Sequence, residues 1–298
     1  MDQESVAEQE DASKVTWHKI IIGDSRNLRE VHSESVHLVV TSPPYVCSKL
    51  KKEQKFDYNN YISTMQGVFK EVHRVLCLDG RLCLNVADIH TKYYYKNHQK
   101  RFLRVPVGAH MLQICLDLGF QLLDTFIWDK GFNRHKGGAS GPFFGSYPYP
   151  ATIYNNVYWE YVYVFVRPGP KRPVPREFKE KSRIPLEKWK EYVQRIWRVE
   201  SETEWIKGHP SVFPVEIPRR FIEMYSFHGD TVLDPFLGSG TTTLAARLTG
   251  RNSIGYEINP KYIRLIESRV GMTQTSLGTE EAKFEMIVRD DAKEVDWV

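Results

Sequence analysis

The 298-residue sequence predicts an α/β protein, a doubly wound and mostly parallel sheet with a smaller inserted region. Three observations carry that prediction. Apolar, strand-like runs alternate with segments of helical periodicity. A glycine-rich turn stands between one such strand and one such helix, late in the chain. A long stretch rich in glycine and basic residues interrupts the alternation. Composition agrees, since 41% hydrophobic and 26% charged is a globular balance. A chain of this length buries about three quarters of its unfolded surface without help from disulfides or metals.

The elements follow in order. MDQESVAEQEDASK (1–14) carries five acids before its one lysine and reads as a disordered acidic tail. It lacks the basic start and apolar core of a signal peptide. Without residues 1–13 the net charge of +4 becomes +9, a balance that suits a polyanionic partner. HKIIIGD (18–24) is a buried strand ending at Asp24, and HLVVTSPPY (37–45) is another, halted by two prolines. KLKKEQKF (49–56) is a basic, exposed stretch. From Ser63, residues Met65, Val68, Phe69, Val72 and Leu76 fall on one helix face. Asp79-Gly80 turns the chain into the strand RLCLNVAD (81–88), and the basic, aromatic TKYYYKNHQKRFLR (91–104) follows. Its Tyr93, Tyr94 and Tyr95 read as packing residues. Pro106 opens a helix bearing Val107, Met111, Ile114 and Leu118, which Gly119 closes before the strand QLLDTFIW (121–128).

Residues 129–152 have loop chemistry, and NVYWEYVYVFV (156–166) is apolar on both alternating faces, a buried strand. Residues 167–207 hold twelve bases and seven acids, with Leu186, Trp189, Val193 and Ile196 marking a short helix. DTVLDPF (230–236), TTTLAARLTG (241–250) and NSIGYEI (252–258) read as strand, helix and strand. The expected organisation is a tail over 1–14, a catalytic half over 15–130, an insertion over 131–207 and a cofactor half over 208–298. No apolar run approaches the ~18 residues of a membrane span. Cys47, Cys77, Cys83 and Cys115 form no C-x-x-C pair, so reduced thiols in a soluble, intracellular protein without a metal are expected.

The sharpest local unit is TVLDPFLGSGTTTLAARLTGRNSIGYEI (231–258). Gly238 and Gly240 let a ligand approach the backbone, and the following helix offers free N–H groups to an anion. Glu257 lies nineteen positions after Gly238, where an acid on the second strand accepts from both hydroxyls of a ribose. A P-loop is excluded, because Gly240 precedes Thr241 rather than Lys. A dinucleotide fingerprint is short of its third glycine, replaced here by Thr243. A tight strand–helix turn without a ligand is the alternative.

Read together, TSPPY (41–45) and DPFLGSGTT (234–242) make the chain resemble the amino-group DNA methyltransferases, in the permuted β subclass of cytosine-N4 type. The resemblance runs from about His18 to Val270. It implies a class I, Rossmann-like methyltransferase fold, S-adenosyl-L-methionine as cofactor and double-stranded DNA with a flipped target base as partner. It implies that Asp234, Gly238, Gly240 and Thr241 hold the methionine end of the cofactor, that Pro235 and Phe236 also bind the cofactor, and that Glu257 takes its ribose. Ser42, Pro43, Pro44 and Tyr45 correspond to the catalytic motif. IIIGDSRNL (20–28) resembles the segment whose Asp24 reaches the adenine amino group. FEMIVRDDAKEV (284–295) offers Asp291 as a rival, and Asp24 is preferred because it directly precedes the catalytic strand. HPSVFPVEIPRRFIEM (209–224) is similar to the segment beside the cofactor, and GSYPYP (145–150) and YWEYVYVF (158–165) to the stretch following the family's WDK. Trp128-Asp129-Lys130-Gly131 departs from the usual lysine-proline ending. Target recognition is expected between that strand and the HP segment, over about 131–207, in a restriction-modification setting in which a homodimer is possible.

The chemistry suits these residues. An exocyclic amine is a weak nucleophile because its lone pair is conjugated into the ring. Acceptors on its hydrogens, here Ser42 and the Pro43 carbonyl, favour a tetrahedral nitrogen, while Tyr45 offers a stacking face. A cytosine-C5 enzyme would need a nucleophilic cysteine, but the four cysteines follow Val46, Leu76, Leu82 and Ile114, with no Pro-Cys pair. The thiols and His209 are expected to be structural. Serine at the head of the tetrapeptide goes in this family mainly with cytosine N4, and aspartate or asparagine with adenine N6. Cytosine N4 is therefore expected, with adenine N6, an RNA substrate or a catalytically silent DNA-binding homologue as alternatives. Reaching the amine requires extruding the base. The expected DNA contacts are Lys49, Lys51, Lys52 and Lys55 after the motif, Arg134 and Lys136, and Lys171, Arg172 and Arg176.

Overall fold

The computed structural model describes residues 15–44, 57–94, 100–130, 159–200, 214–272 and 281–295. The acidic tail, Tyr45, Cys47, Lys49, Lys51, Lys52, Lys55, Arg134, Lys136, His209 and GSYPYP lie outside the described residues.

Eleven strands and seven α-helices are described. In chain order they are β1 (Val15–Ile22), β2 (Val36–Thr41), α1 (Tyr58–Val75), β3 (Leu76–Val86), β4 (Ile89–Tyr94) and β5 (Lys100–Val105), followed by α2 (Val107–Asp117). Then come β6 (Gln121–Asp129), β7 (Trp159–Val166), α3 (Arg176–Lys181), α4 (Leu186–Tyr192) and β8 (Ile196–Arg198). The chain continues through α5 (Glu216–Tyr225), β9 (Thr231–Asp234), α6 (Thr241–Leu248), β10 (Asn252–Glu257), α7 (Ile263–Val270) and β11 (Glu281–Val288). Nine strands form one sheet in the order β11-β1-β10-β9-β2-β3-β7-β6-β8, while β4 and β5 pair only with each other. Every pairing in the large sheet is parallel except those of β7, which runs against both β3 and β6.

Both faces of the sheet are covered, which is why Ile20, Ile21 and Ile22 can be consecutive and all fully buried. One core joins the sheet to α1 and α2 through Met65, Val68, Phe69, Val72 and Met111. The other face packs Leu38, Val40 and Val164 against Ile217, Phe221, Ala245 and Ala246 of α5 and α6.

Several boundaries differ from expectation. Helix α1 begins at Tyr58 rather than near Ser63, because Asp57 accepts hydrogen bonds from the backbone N–H groups of Asn59 and Asn60. It ends before Leu76, which opens β3; that strand runs through Asp79-Gly80 with an irregular register, Asp79 taking a φ of 58°. The segment 91–104 falls within the antiparallel pair β4 and β5, which runs from Ile89 to Val105. Pro106 and Gly119 bound α2 as expected, Gly119 at a φ of 93°. Helix α4 forms, but Leu186, Trp189, Val193 and Ile196 are exposed, and the buried residues here are Tyr192 at its end and Trp197 beyond it. Periodicity gave the helix there; the hydrogen bond from Tyr192 to Glu223 and the packing of Trp197 on Phe221 set its inner side. The described part of 131–207 is built into the sheet, because it supplies β7 and β8.

Candidate active site

The parallel strands β1, β2, β3, β9 and β10 all end at one edge of the sheet, and the candidate residues gather there, in the usual place for an open α/β sheet. At its centre β2 and β9 are neighbours, with Leu38 opposite Val232 and Val39 opposite Leu233. Thr41, the last residue of β2, and Asp234, the last of β9, are both buried. The Thr41 hydroxyl donates to Asp234 Oδ1 at 2.6 Å, the Thr242 hydroxyl to Oδ2 at 2.7 Å, and the Phe236 N–H to Oδ1 at 3.0 Å. Burial pushes the Asp234 carboxyl up to about 6 against these three donors, which pull it down. Asp234 thereby ties the residue preceding Ser42-Pro43-Pro44 to the turn and to the first turn of α6. Pro43 is buried, while Ser42 and Pro44 are half-buried.

The turn itself is held by two left-handed glycines, Gly238 at φ 55° and Gly240 at φ 90°. A Cβ on Gly240 would stand 2.8 Å from Val270 Cγ1. Gly240 is also the N-cap of α6 and has no side chain to accept from the helix's first turn, so those N–H groups suit a carboxylate. Glu257, ending β10, receives the Gly238 N–H on Oε2 and the Asn259 N–H on Oε1, each at 2.9 Å. Burial raises it to about 7, with the Asp234 charge a smaller push in the same direction and its backbone donors working against both. Each oxygen keeps a second lone pair for a ribose hydroxyl. Donors at the helix start and a buried acid at the adjoining strand end fit a cofactor with a carboxylate at one end and a ribose at the other.

Beyond Glu257, β1 is the next strand, and the Gly23 N–H donates to the Glu257 carbonyl at 2.8 Å. Asp24 follows directly. The guanidinium of Arg26 reaches it at 2.5 and 3.0 Å and, against the cost of partial burial, holds it below the usual carboxylate range. Asp291 sits at the end of β11, one strand further out, and accepts the Asp24 N–H at 3.3 Å. The two rival acids are therefore neighbours, with Asp24 on the strand nearer Glu257.

The structure does not bring Lys171, Arg172 and Arg176 to this edge. Strand β7 is antiparallel, so it starts at the site edge with Trp159 opposite Asp129 and leaves the sheet at the other end with Val166 opposite Arg81. Arg172 pairs there with Asp230, the residue before β9, and Arg176 begins α3 on the same excursion. By contrast, Pro44, Asp57, Lys130, Trp159, Glu200 and Pro214 flank 45–56, 131–158 and 201–213 at the site edge.

Sequence reasoning assigned no role to Thr41, although it heads TSPPY and its position before Ser42 was the available signal. Nor did it find Glu160, buried on β7, which accepts from Asn85 at 2.5 Å and pairs with Lys130. Gly255 on β10 also escaped notice; a Cβ there would meet Leu237 Cδ1 at 2.6 Å, so the strand needs glycine to seat the turn. Cys83 and Cys115 are buried and Cys77 half-buried. Among the described residues no group of His, Cys, Asp and Glu is arranged to hold a metal ion, and no helix is long and apolar enough to cross a membrane.

Comparison with known proteins gives this geometry its context. A family model described as DNA methylase, covering N6 and N4 methyltransferases, matches residues 36–268. The type II methyltransferase M.MjaI of Methanocaldococcus jannaschii is 33% identical over 300 residues, covering 89% of this chain and 95% of its own length. Among solved structures, TTHA0409 of Thermus thermophilus, assigned to the DNA modification methylases, superposes with a TM-score of 0.70 at 32% identity, over 91% of this chain and 99% of that one. The same protein complexed with S-adenosyl-L-methionine matches with a TM-score of 0.68 at 32% identity, over 90% and 99% of the two chains.

Proposed function

This chain belongs to the DNA methylase family of amino-methyltransferases, and we propose that it transfers a methyl group from S-adenosyl-L-methionine to the exocyclic N4 amine of cytosine in DNA. The observation that carries the reading is the Thr41–Asp234 tie, which joins the catalytic strand end to the glycine turn over 2.6 Å. With cofactor and base bound, that tie would hold methyl donor and amine side by side, and proximity would supply much of the acceleration.

The cofactor supplies an activated sulfonium methyl group. Glu257 would accept from its ribose hydroxyls, the N–H groups at the start of α6, from Thr241 on and seated by Gly238 and Gly240, would receive its carboxylate, and Asp24 would take the adenine amino group. Pro235 and Phe236 form the wall next to Asp234. On the substrate side Ser42 and the Pro43 carbonyl accept hydrogen bonds from the amine, Pro44 stiffens the turn and Tyr45 stacks on the extruded base. The proton lost from nitrogen after transfer leaves through these acceptors to solvent, and no covalent enzyme intermediate forms.

Ser42 supports cytosine over adenine through the resemblance, in which serine at this position goes mainly with cytosine N4; its hydroxyl can accept from the amine and donate to the neighbouring ring nitrogen, N3 of cytosine or the equivalent N1 of adenine. The test is nucleoside mass spectrometry of duplex DNA after incubation with labelled cofactor. N4-methylcytosine is expected, and its absence from the Ser42→Ala product, with cofactor binding retained, supports the role of the hydroxyl. N6-methyladenine alone would overturn the assignment of the base, and 5-methylcytosine the mechanism.

A further inference from the structure

The hairpin β4–β5 stands apart from the large sheet, and it is rooted at the site edge. Strand β3 ends there at Val86, and two residues later Asp88 accepts the Gly108 N–H at 3.1 Å, tying the hairpin's base to the start of α2. Ile89 and Val105, opposite one another at that base, pack on the core formed with α1 and α2. Beyond them the register pairs His90 with Arg104, Lys92 with Phe102 and Tyr94 with Lys100. Strands alternate faces, so these six residues share one face of the ribbon, and Ile89, Thr91, Tyr93, Arg101, Leu103 and Val105 share the other. The first face collects three permanent cations, a histidine and two aromatic rings. The second begins with the two residues committed to the core.

We propose that β4–β5 is a DNA-contacting ribbon, a second recognition element laid on the duplex beside the target base and separate from the segment between β6 and α5. The inference rests on the DNA methyltransferase reading above. Two strands of six residues give a ribbon about 20 Å long, and a two-stranded ribbon fits the major groove, which is about 12 Å wide. Its charge complements the phosphate backbone, and its root adjoins the edge where the base must enter. The hairpin therefore orients the duplex while the catalytic turn works on the flipped nucleotide.

The test is fluorescence anisotropy of a labelled duplex with the full-length protein and S-adenosyl-L-methionine, from 50 to 300 mM salt. Each phosphate contact contributes about 0.9 to the slope of log affinity against log salt. Lys92→Ala with Lys100→Ala should flatten the slope by about 1.8 and weaken binding roughly tenfold at the higher salts, while the cofactor-induced thermal shift stays unchanged. Lys92→Arg with Lys100→Arg should restore the slope, which separates lost charge from a damaged hairpin. An unchanged slope in the alanine pair, or a loss that the arginine pair fails to restore, would overturn the proposal. A parent protein that binds the cofactor but no nucleic acid would overturn the underlying reading, a result visible before any substitution.

Discussion

Two buried acids control the site at the scale of single residues. Thr41→Val keeps the shape of the side chain and removes one of the three donors to Asp234. Loss of a buried hydrogen bond to an ionisable group costs about 1.5–3 kcal/mol, so urea unfolding should show a stability loss of that size and a smaller thermal shift on adding cofactor. Full stability in Thr41→Val would mean that the tie is incidental. Glu257 and Asp234 make stability depend on pH in a definite direction. Their folded values, about 7 and about 6, lie above the ordinary 4.5 and 3.8, so the native state keeps protons that the unfolded chain has released. The contribution of these two acids to the stability of the cofactor-free protein should therefore be fully present below about pH 4, fall as pH rises, and level off above about pH 7. Glu257→Gln should remove the upper part of that decline, which melts between pH 5 and 8 would detect. Cofactor affinity, needing the ionised acid, should rise over the same range in the parent and stay flat in the variant.

At the scale of elements, the strand–turn–helix of β9 and α6 depends on Gly240 whether or not a ligand binds. Its φ of 90° costs an L-residue about 1–2 kcal/mol, and the new methyl would press on Val270 of α7. Gly240→Ala should lower the unfolding free energy by about 1–3 kcal/mol in the absence of cofactor. An unchanged stability with lost cofactor binding would instead assign Gly240 to the ligand alone. This element was legible in the sequence because its signals are local: an apolar run, glycines where the chain turns left-handed, then threonines and alanines that continue as helix. The hairpin β4–β5 was not, since its alternation of basic and aromatic residues resembles an irregular basic stretch until the register pairs it. Helix α4 was half legible. Periodicity marked its start, but the helix ends at Tyr192 and Ile196 opens β8, its apolar stripe faces outward, and its buried side is defined by partners on α5.

For the whole molecule, the direction of β7 decides which basic residues can meet the substrate. Running antiparallel, it delivers 167–195 to the end of the sheet remote from Ser42, where Arg172 pairs with Asp230. Lys171→Ala with Arg172→Ala should thus leave the salt slope of DNA binding unchanged and cost about 1 kcal/mol of stability through the broken pair. A slope flattened by about 2 would return this end of the molecule to the DNA interface. From the sequence alone came the α/β class, the alternation of elements, the two motifs and their family, because each is written in residues close together in the chain. Tertiary structure alone decided that Thr41 and Asp234, 193 positions apart, share a hydrogen bond, that Asp24 and Asp291 are neighbours, and that Lys171 lies at the far end. Strand order and strand direction are properties of pairing between distant segments, so no window of sequence contains them.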